Sequence, residues 1–114
     1  LQDALEHVGG SAPDELVAAL RSLARGDSPD SLETSGYVVH SLQTALHDAL
    51  GCESPEAAIV TAVNRGGDTD TIGAIAGAVV GARFGASALP NRWVAALDGA
   101  AELESLADGL ASLA

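Results

Sequence analysis

The chain has 114 residues, enough for one ordinary domain that buries a core without disulfide or metal staples. Its 47% hydrophobic content excludes a disordered polypeptide, and 16 acidic residues against 5 basic ones, all Arg, give a formal charge of −11. That charge excludes a phosphate-tracking nucleic-acid binder and a partner of anionic membrane surfaces; a cation is the partner it favours most readily.

A single Cys forms no internal disulfide and no thiolate cluster, which fits a cytoplasmic, reducing setting. The longest nearly uncharged apolar run, Ile72 to Ala82, ends at Arg83 and is too short to span a bilayer. The sequence begins at Leu1 and contains no Met, so it is expected to be trimmed, cleaved or a piece of something longer.

Taken in order, the elements read as helical throughout. Residues 1–8 predict a short helix or turn stopped by Gly9-Gly10. Ser11 and Pro13 open a helix with Asp14 and Glu15 in its first turn, Leu16, Leu20 and Leu23 at helical spacing, and Gly26 as a stop. Residues 25–36 are polar, with Pro and Gly, and predict a loop. A helix follows from Tyr37 to Leu50, with Val38 or Val39, Leu42, Ala45, Leu46 and Ala49 along one side. Ser54-Pro55 reads as an N-cap with Pro at the first helical position, opening a helix that runs to Asn64. The turn Gly66 to Thr71 leads into a helix over 71–84. Leu89-Pro90 opens a helix carrying Trp93 and Leu97, and a last helix over 101–113 spaces Leu103, Leu106, Leu110 and Leu113 by three and four. No segment alternates as a strand, so the expected class is all-α, a compact multi-helix fold.

In the 71–84 helix, glycine recurs at 73, 77, 81 and 85. Each interior glycine costs about 1 kcal/mol of helix stability relative to Ala. The stripe therefore predicts close packing of a neighbouring helix along that face.

The 66–71 turn holds the residues with the most chemistry. Asp68 and Asp70 would diverge by about 200° on a helix, so they converge only where the backbone is not yet helical. Gly66-Gly67 supplies that freedom. With Thr69 and Thr71 they form an oxygen-only set of two carboxylates and two hydroxyls at a helix start, suited to a hard cation such as Mg²⁺, Mn²⁺ or Ca²⁺ and not to zinc. A plain structural reading stands beside this one: Asp70 as an N-cap, with Asp68 in a solvated turn.

The run from Asn64 to Ala82, with Gly66-Gly67-Asp68-Thr69-Asp70-Thr71 at its centre, closely resembles the C-terminal signature of the ADP-ribosylglycohydrolase family. Pro90-Asn91-Arg92-Trp93, the segment from Gly36 to Leu46 and the Ser54-Pro55-Glu56-Ala57-Ala58 start extend the resemblance over residues 33–113. It implies an all-α fold with a dinuclear Mg²⁺ or Mn²⁺ centre, in which Asp68, Asp70 and Thr71 are metal ligands. It further implies cleavage of the glycosidic bond between ADP-ribose and a protein side chain or small molecule, with the metals orienting the ribose hydroxyls. Tyr37, at a helix start after the long loop, is read either as a contact to ADP-ribose or as a packed core residue.

The family's second ligand cluster, of Thr-Asp-Asp type, has no counterpart in this sequence. The resemblance thus implies the C-terminal part of one domain, without the acid–base carboxylate and inactive alone. Its expected partners are the missing N-terminal portion or a companion chain, and an ADP-ribosylated substrate. Two alternatives belong to other classes: a non-catalytic relative serving as a binding module, and a metal-free helical interaction module. His40 and His47 read as a half-exposed polar face, and Trp93 as core packing.

Overall fold

The computed structural model describes residues 1–8, 10–27 and 32–114. The stop at Gly9 and the centre of the 25–36 loop, residues 28–31, lie outside the described residues. Among the described residues there are seven α-helices, one short 3₁₀ turn and no strand, so the expected all-α class holds. The helices are α1 (Gln2–Val8), α2 (Asp14–Ala24), α3 (Val38–Gly51), α4 (Pro55–Asn64), α5 (Thr69–Phe84), α6 (Asn91–Val94) and α7 (Ala100–Ala111).

The core is the junction of α3, α4 and α5. It consists of Ala45 and Ala49, Ala58 and Ala62, and Ile72, Ala76 and Val80, all fully buried. Five of these seven side chains are alanine methyls, so the three helices approach closely and dispersion contacts between backbones carry much of the packing. Ser54 Oγ accepts the Ala57 N–H at 3.2 Å and Pro55 takes the first helical position, as the sequence predicts for the start of α4. At the far end of the junction Arg83 Nη1 donates to the carbonyls of Ala49, Leu50 and Cys52, each at 3.1 Å. These are oxygens at and just past the α3 C-terminus, where a cation offsets the helix dipole. Gly85, at φ 82°, ends α5.

Four expectations are corrected. The helix predicted from 71 begins at Thr69, with Asp68 in the cap position, so only one of the two aspartates lies outside regular helix. The segment around Trp93 and Leu97 makes just the four-residue α6, and Trp93 is half-buried beneath the Arg92 guanidinium, which lies 5.3 Å from the ring centroid. The inward face of α3 is also more polar than predicted: Ser41, Thr44 and Asp48 are buried on it, whereas Leu42 and Leu46 are half-buried. Finally, the glycine stripe is closely packed only at Gly73, where a Cβ would stand 2.9 Å from Val63 Cγ1. At Gly77 and Gly81 a Cβ would meet nothing within 4 Å.

The open glycines share α5 with exposed Ala74, Ala78 and Ala82. The leucines of α7, at 53% exposure or more, are likewise uncovered among the described residues. The radius of gyration, 15.1 Å, exceeds the roughly 13 Å of a rounded domain of this length, and no described residue of α7 is buried.

Filling an open helical glycine with a methyl recovers helix propensity at no steric cost. Gly77→Ala and Gly81→Ala are each expected to raise the stability of this chain by up to about 1 kcal/mol, read as an upward shift in Tm. A fall in Tm would show that the face is closely covered.

Candidate metal centre

The candidate site is the turn that joins α4 to α5. Its entry is fixed by Arg65, whose Nε and Nη2 donate to the two carboxylate oxygens of Asp48 on α3, each at 2.6 Å. The Asp48 side chain is 1% exposed, and removing one partner of such a buried, bidentate pair costs on the order of 3–5 kcal/mol. His47 Nδ1 lies 3.2 Å from Asp48 Oδ1 as well.

Gly66 and Gly67 follow with φ of 82° and 72°, a conformation that L side chains rarely adopt. At Gly67 the constraint is doubled, because a Cβ would stand 2.2 Å from the Thr34 carbonyl oxygen. That carbonyl accepts the Asp68 N–H at 2.8 Å. The 32–37 segment therefore lies directly against the turn. Gly36 is part of the same contact: a Cβ there would be 3.2 Å from Asp68 Oδ2.

Asp68 and Asp70 both stand at the start of α5. Asp68 occupies the cap position at φ −81° and ψ 64° and makes no side-chain capping bond, so it is Asp68, not Asp70, that stands where a cap would be. Asp70 lies in the first helical turn. Its carboxyl is held below the usual carboxylate range, first by a hydrogen bond shared with the Asp68 carboxyl and then by the backbone N–H groups of Thr71 and of Asp70 itself. Thr71 follows on the same exposed helix start. Among the described residues neither aspartate has an ion-pair partner.

Two adjacent carboxylates at a helix N-terminus, with a hydroxyl beside them, fit a hard divalent cation in donor chemistry. They do not fill its coordination shell. Among the described residues no group of three or more His, Cys, Asp or Glu side chains is placed to hold a metal ion. The remaining oxygens would come from water, substrate or another segment.

Tyr37 is not a core residue: it is 46% exposed, beside Gly36 and hence next to the turn. Its hydroxyl donates to Glu15 Oε2 at 2.8 Å, and its ring meets His40 edge-on at 5.1 Å. His40 Nδ1 shares a 2.8 Å hydrogen bond with Ser35 Oγ and lies 3.3 Å from Glu33 Oε2. The histidines at 40 and 47 occupy the half-exposed face expected for them. The sequence reading missed Thr34 and Asp48. The signal available for Asp48 was a lone acidic residue among the apolar positions of α3.

The Glu15 carboxylate raises the Tyr37 pKa above its ordinary value near 10, by the hydrogen bond first and by charge second. Because the folded value lies above the unfolded one, the stabilisation from this contact is complete below the unfolded pKa. It is lost as pH climbs through the folded value. Tyr37 is the sole tyrosine, so tyrosinate absorbance reads it directly. The midpoint is expected above that of free tyrosine and lower in Glu15→Gln; equal midpoints would remove the contact.

A family model described as ADP-ribosylglycohydrolase matches residues 1–114, a longer match than the 33–113 over which the sequence resemblance was drawn. The ADP-ribosyl-dinitrogen reductase glycohydrolase of Rhodospirillum rubrum is 38% identical over 72 residues, covering 63% of this chain and 24% of the relative. The ADP-ribosylarginine hydrolase Tri1 of Pseudomonas putida is 31% identical over 113 residues, covering 90% of this chain and 30% of the relative. The ADP-ribosylhydrolase ARH3 of Homo sapiens is 32% identical over 100 residues, covering 78% and 28%. The chain thus spans about a quarter to a third of the length of these curated relatives. No solved structure matches it. With the family model matched along its whole length, the chain belongs to the ADP-ribosylglycohydrolase family.

Proposed function

We propose that this chain supplies the C-terminal part of a metal-dependent hydrolase that cleaves the glycosidic bond between ADP-ribose and a modified protein side chain or a small molecule. The observation that carries the reading is the placement of Asp68 in the cap position and Asp70 in the first turn of α5, with neither carboxylate joined to a cation among the described residues. Carboxylates with no basic partner at a helix start leave oxygen donors open to a hard cation.

Asp68, Asp70 and the Thr71 hydroxyl would hold Mg²⁺ or Mn²⁺; Thr69, in the same turn, is left out of the ligand set. When bound, the cation supplies Lewis-acid positioning and charge stabilisation. The chain's own residues do the rest. The Asp48–Arg65 pair and the Thr34 carbonyl fix the turn, and the N-terminal dipole of α5 steadies the two carboxylates. The exposed Tyr37 ring offers a face on which a substrate ring can stack, with its hydroxyl oriented by Glu15.

Support for the substrate class comes from the relatives, whose names specify ADP-ribosyl and ADP-ribosylarginine hydrolysis. The incomplete ligand set and the uncovered α5 face support a requirement for further chain, either the N-terminal portion of the same protein or a companion polypeptide, before hydrolysis occurs.

The test is release of ADP-ribose from an ADP-ribosylated arginine or serine peptide, with Mg²⁺ and with Mn²⁺, by this chain alone and by the polypeptide in which it is completed. The completed protein is expected to release ADP-ribose, and chelator to stop it. Asp68→Asn and Asp70→Asn are each expected to lower activity by at least about 100-fold, the upper range seen on disturbing residues behind metal ligands. Release that survives chelator, or that survives both substitutions, contradicts the metal reading. A completed protein that binds ADP-ribose without releasing it favours a binding module.

A further inference from the structure

The buried polar side chains of the described core, Ser41, Thr44 and Asp48, all lie on α3. Their spacing of three and four places them on one helix face. Buried polar groups destabilise a core unless each is bonded, and each of these is. Ser41 Oγ donates to the Ser35 carbonyl at 3.0 Å, and Thr44 Oγ1 to the Glu33 carbonyl at 2.7 Å. Asp48 accepts both hydrogen bonds from Arg65.

Apart from His47, beside Asp48 on α3 itself, none of the partners of these side chains belongs to a helix. Glu33 and Ser35 flank Thr34, whose carbonyl accepts the Asp68 N–H and against which Gly67 is closely packed. Arg65 is the residue that enters the turn. One face of α3 therefore grips the acidic turn on two sides: through Arg65 at its entry, and through the 33–35 segment at Asp68. Apolar side chains would fill the same space with less desolvation cost, so what the polar stripe adds is geometry.

We propose that Ser41, Thr44 and Asp48 are positioning residues that hold the 65–71 turn in the conformation that sets Asp68 in the cap position and Asp70 in the first turn of α5. Their grip on the turn follows from the contacts above; its consequence for cation binding rests on the metal-centre reading.

The test is amide exchange, followed by NMR on the isotope-labelled chain, at Asp68 and at Val80 as the reference for global opening. The variants are Thr44→Val, Thr44→Ser and the double Asp48→Leu, Arg65→Leu. In Thr44→Val the Asp68 amide is expected to exchange about ten-fold faster relative to Val80, the equivalent of one net hydrogen bond, and Thr44→Ser to restore it. The double variant is expected to melt no lower than the wild type and yet leave the Asp68 amide fast, which a merely stabilising pair would not do. An unchanged ratio of Asp68 to Val80 exchange in Thr44→Val overturns the proposal, as does wild-type protection of Asp68 in the double variant. The Thr44 variants decide alone if the double variant does not fold. Mn²⁺-induced broadening of Asp68 and Asp70 resonances, titrated in the same samples, reads the metal separately. If the wild type shows none, the metal reading falls while the exchange ratio still decides this proposal.

Discussion

A carboxylate buried in α3 and the guanidinium of Arg65 determine where α4 ends and where the acidic turn begins. Asp48 has no water to turn to, so it is satisfied by Arg65, and Arg65 is thereby drawn across the end of α4. From that fixed point the chain has room for only two residues of left-handed backbone before it meets the Thr34 carbonyl. Asp68 follows directly, and α5 starts at the next residue. The position of both aspartates is thus set by the bond of Arg65 to an aspartate buried in α3 and by a glycine that no other residue could replace.

The charge distribution follows from how few cations the sequence carries. Among five Arg side chains, Arg65 is held by Asp48, Arg83 by the carbonyls ending α3, Arg92 by Glu56 and Arg25 by Asp27. Arg92 holds the Glu56 carboxyl below its usual range, chiefly through their hydrogen bond. None of these four guanidinium groups faces the Asp68–Asp70 pair. A net charge of −11 then leaves the turn in a field that draws cations and repels anions.

Much of this was legible in the sequence. The helix starts at Ser54-Pro55, the glycine turn and the acidic pair rest on local rules of capping and backbone freedom, and local rules are written in adjacent residues. The resemblance carried by residues 64–82 added the chemistry. Less legible was whatever depends on contacts between distant segments. Thr34 carries no sequence signal for its role, because it acts through a backbone oxygen. Asp48 looked like one more acid on an acidic chain, and its burial became visible only once α3 was packed against the turn. The glycine stripe misled for the opposite reason. It spoke for a close neighbour along all of α5, and the described residues supply one only at Gly73.

The open face bears directly on the proposed metal site. Asp70, Thr71, Ala74, Ala78 and Ala82 are all exposed on α5, so the carboxylate pair and the uncovered small residues belong to one surface. A segment laid along that surface would reach the cation as well as the helix. The central claim, that Asp68, Asp70 and Thr71 are ligands, is tested most directly by crystals of this chain grown with Mn²⁺ and measured at the manganese absorption edge. An anomalous peak is expected within coordination distance, about 2.2 Å, of the Asp68 and Asp70 carboxylates, with the remaining positions filled by water or by added chain. A well-ordered turn with no peak, or a peak held elsewhere on the chain, would contradict it.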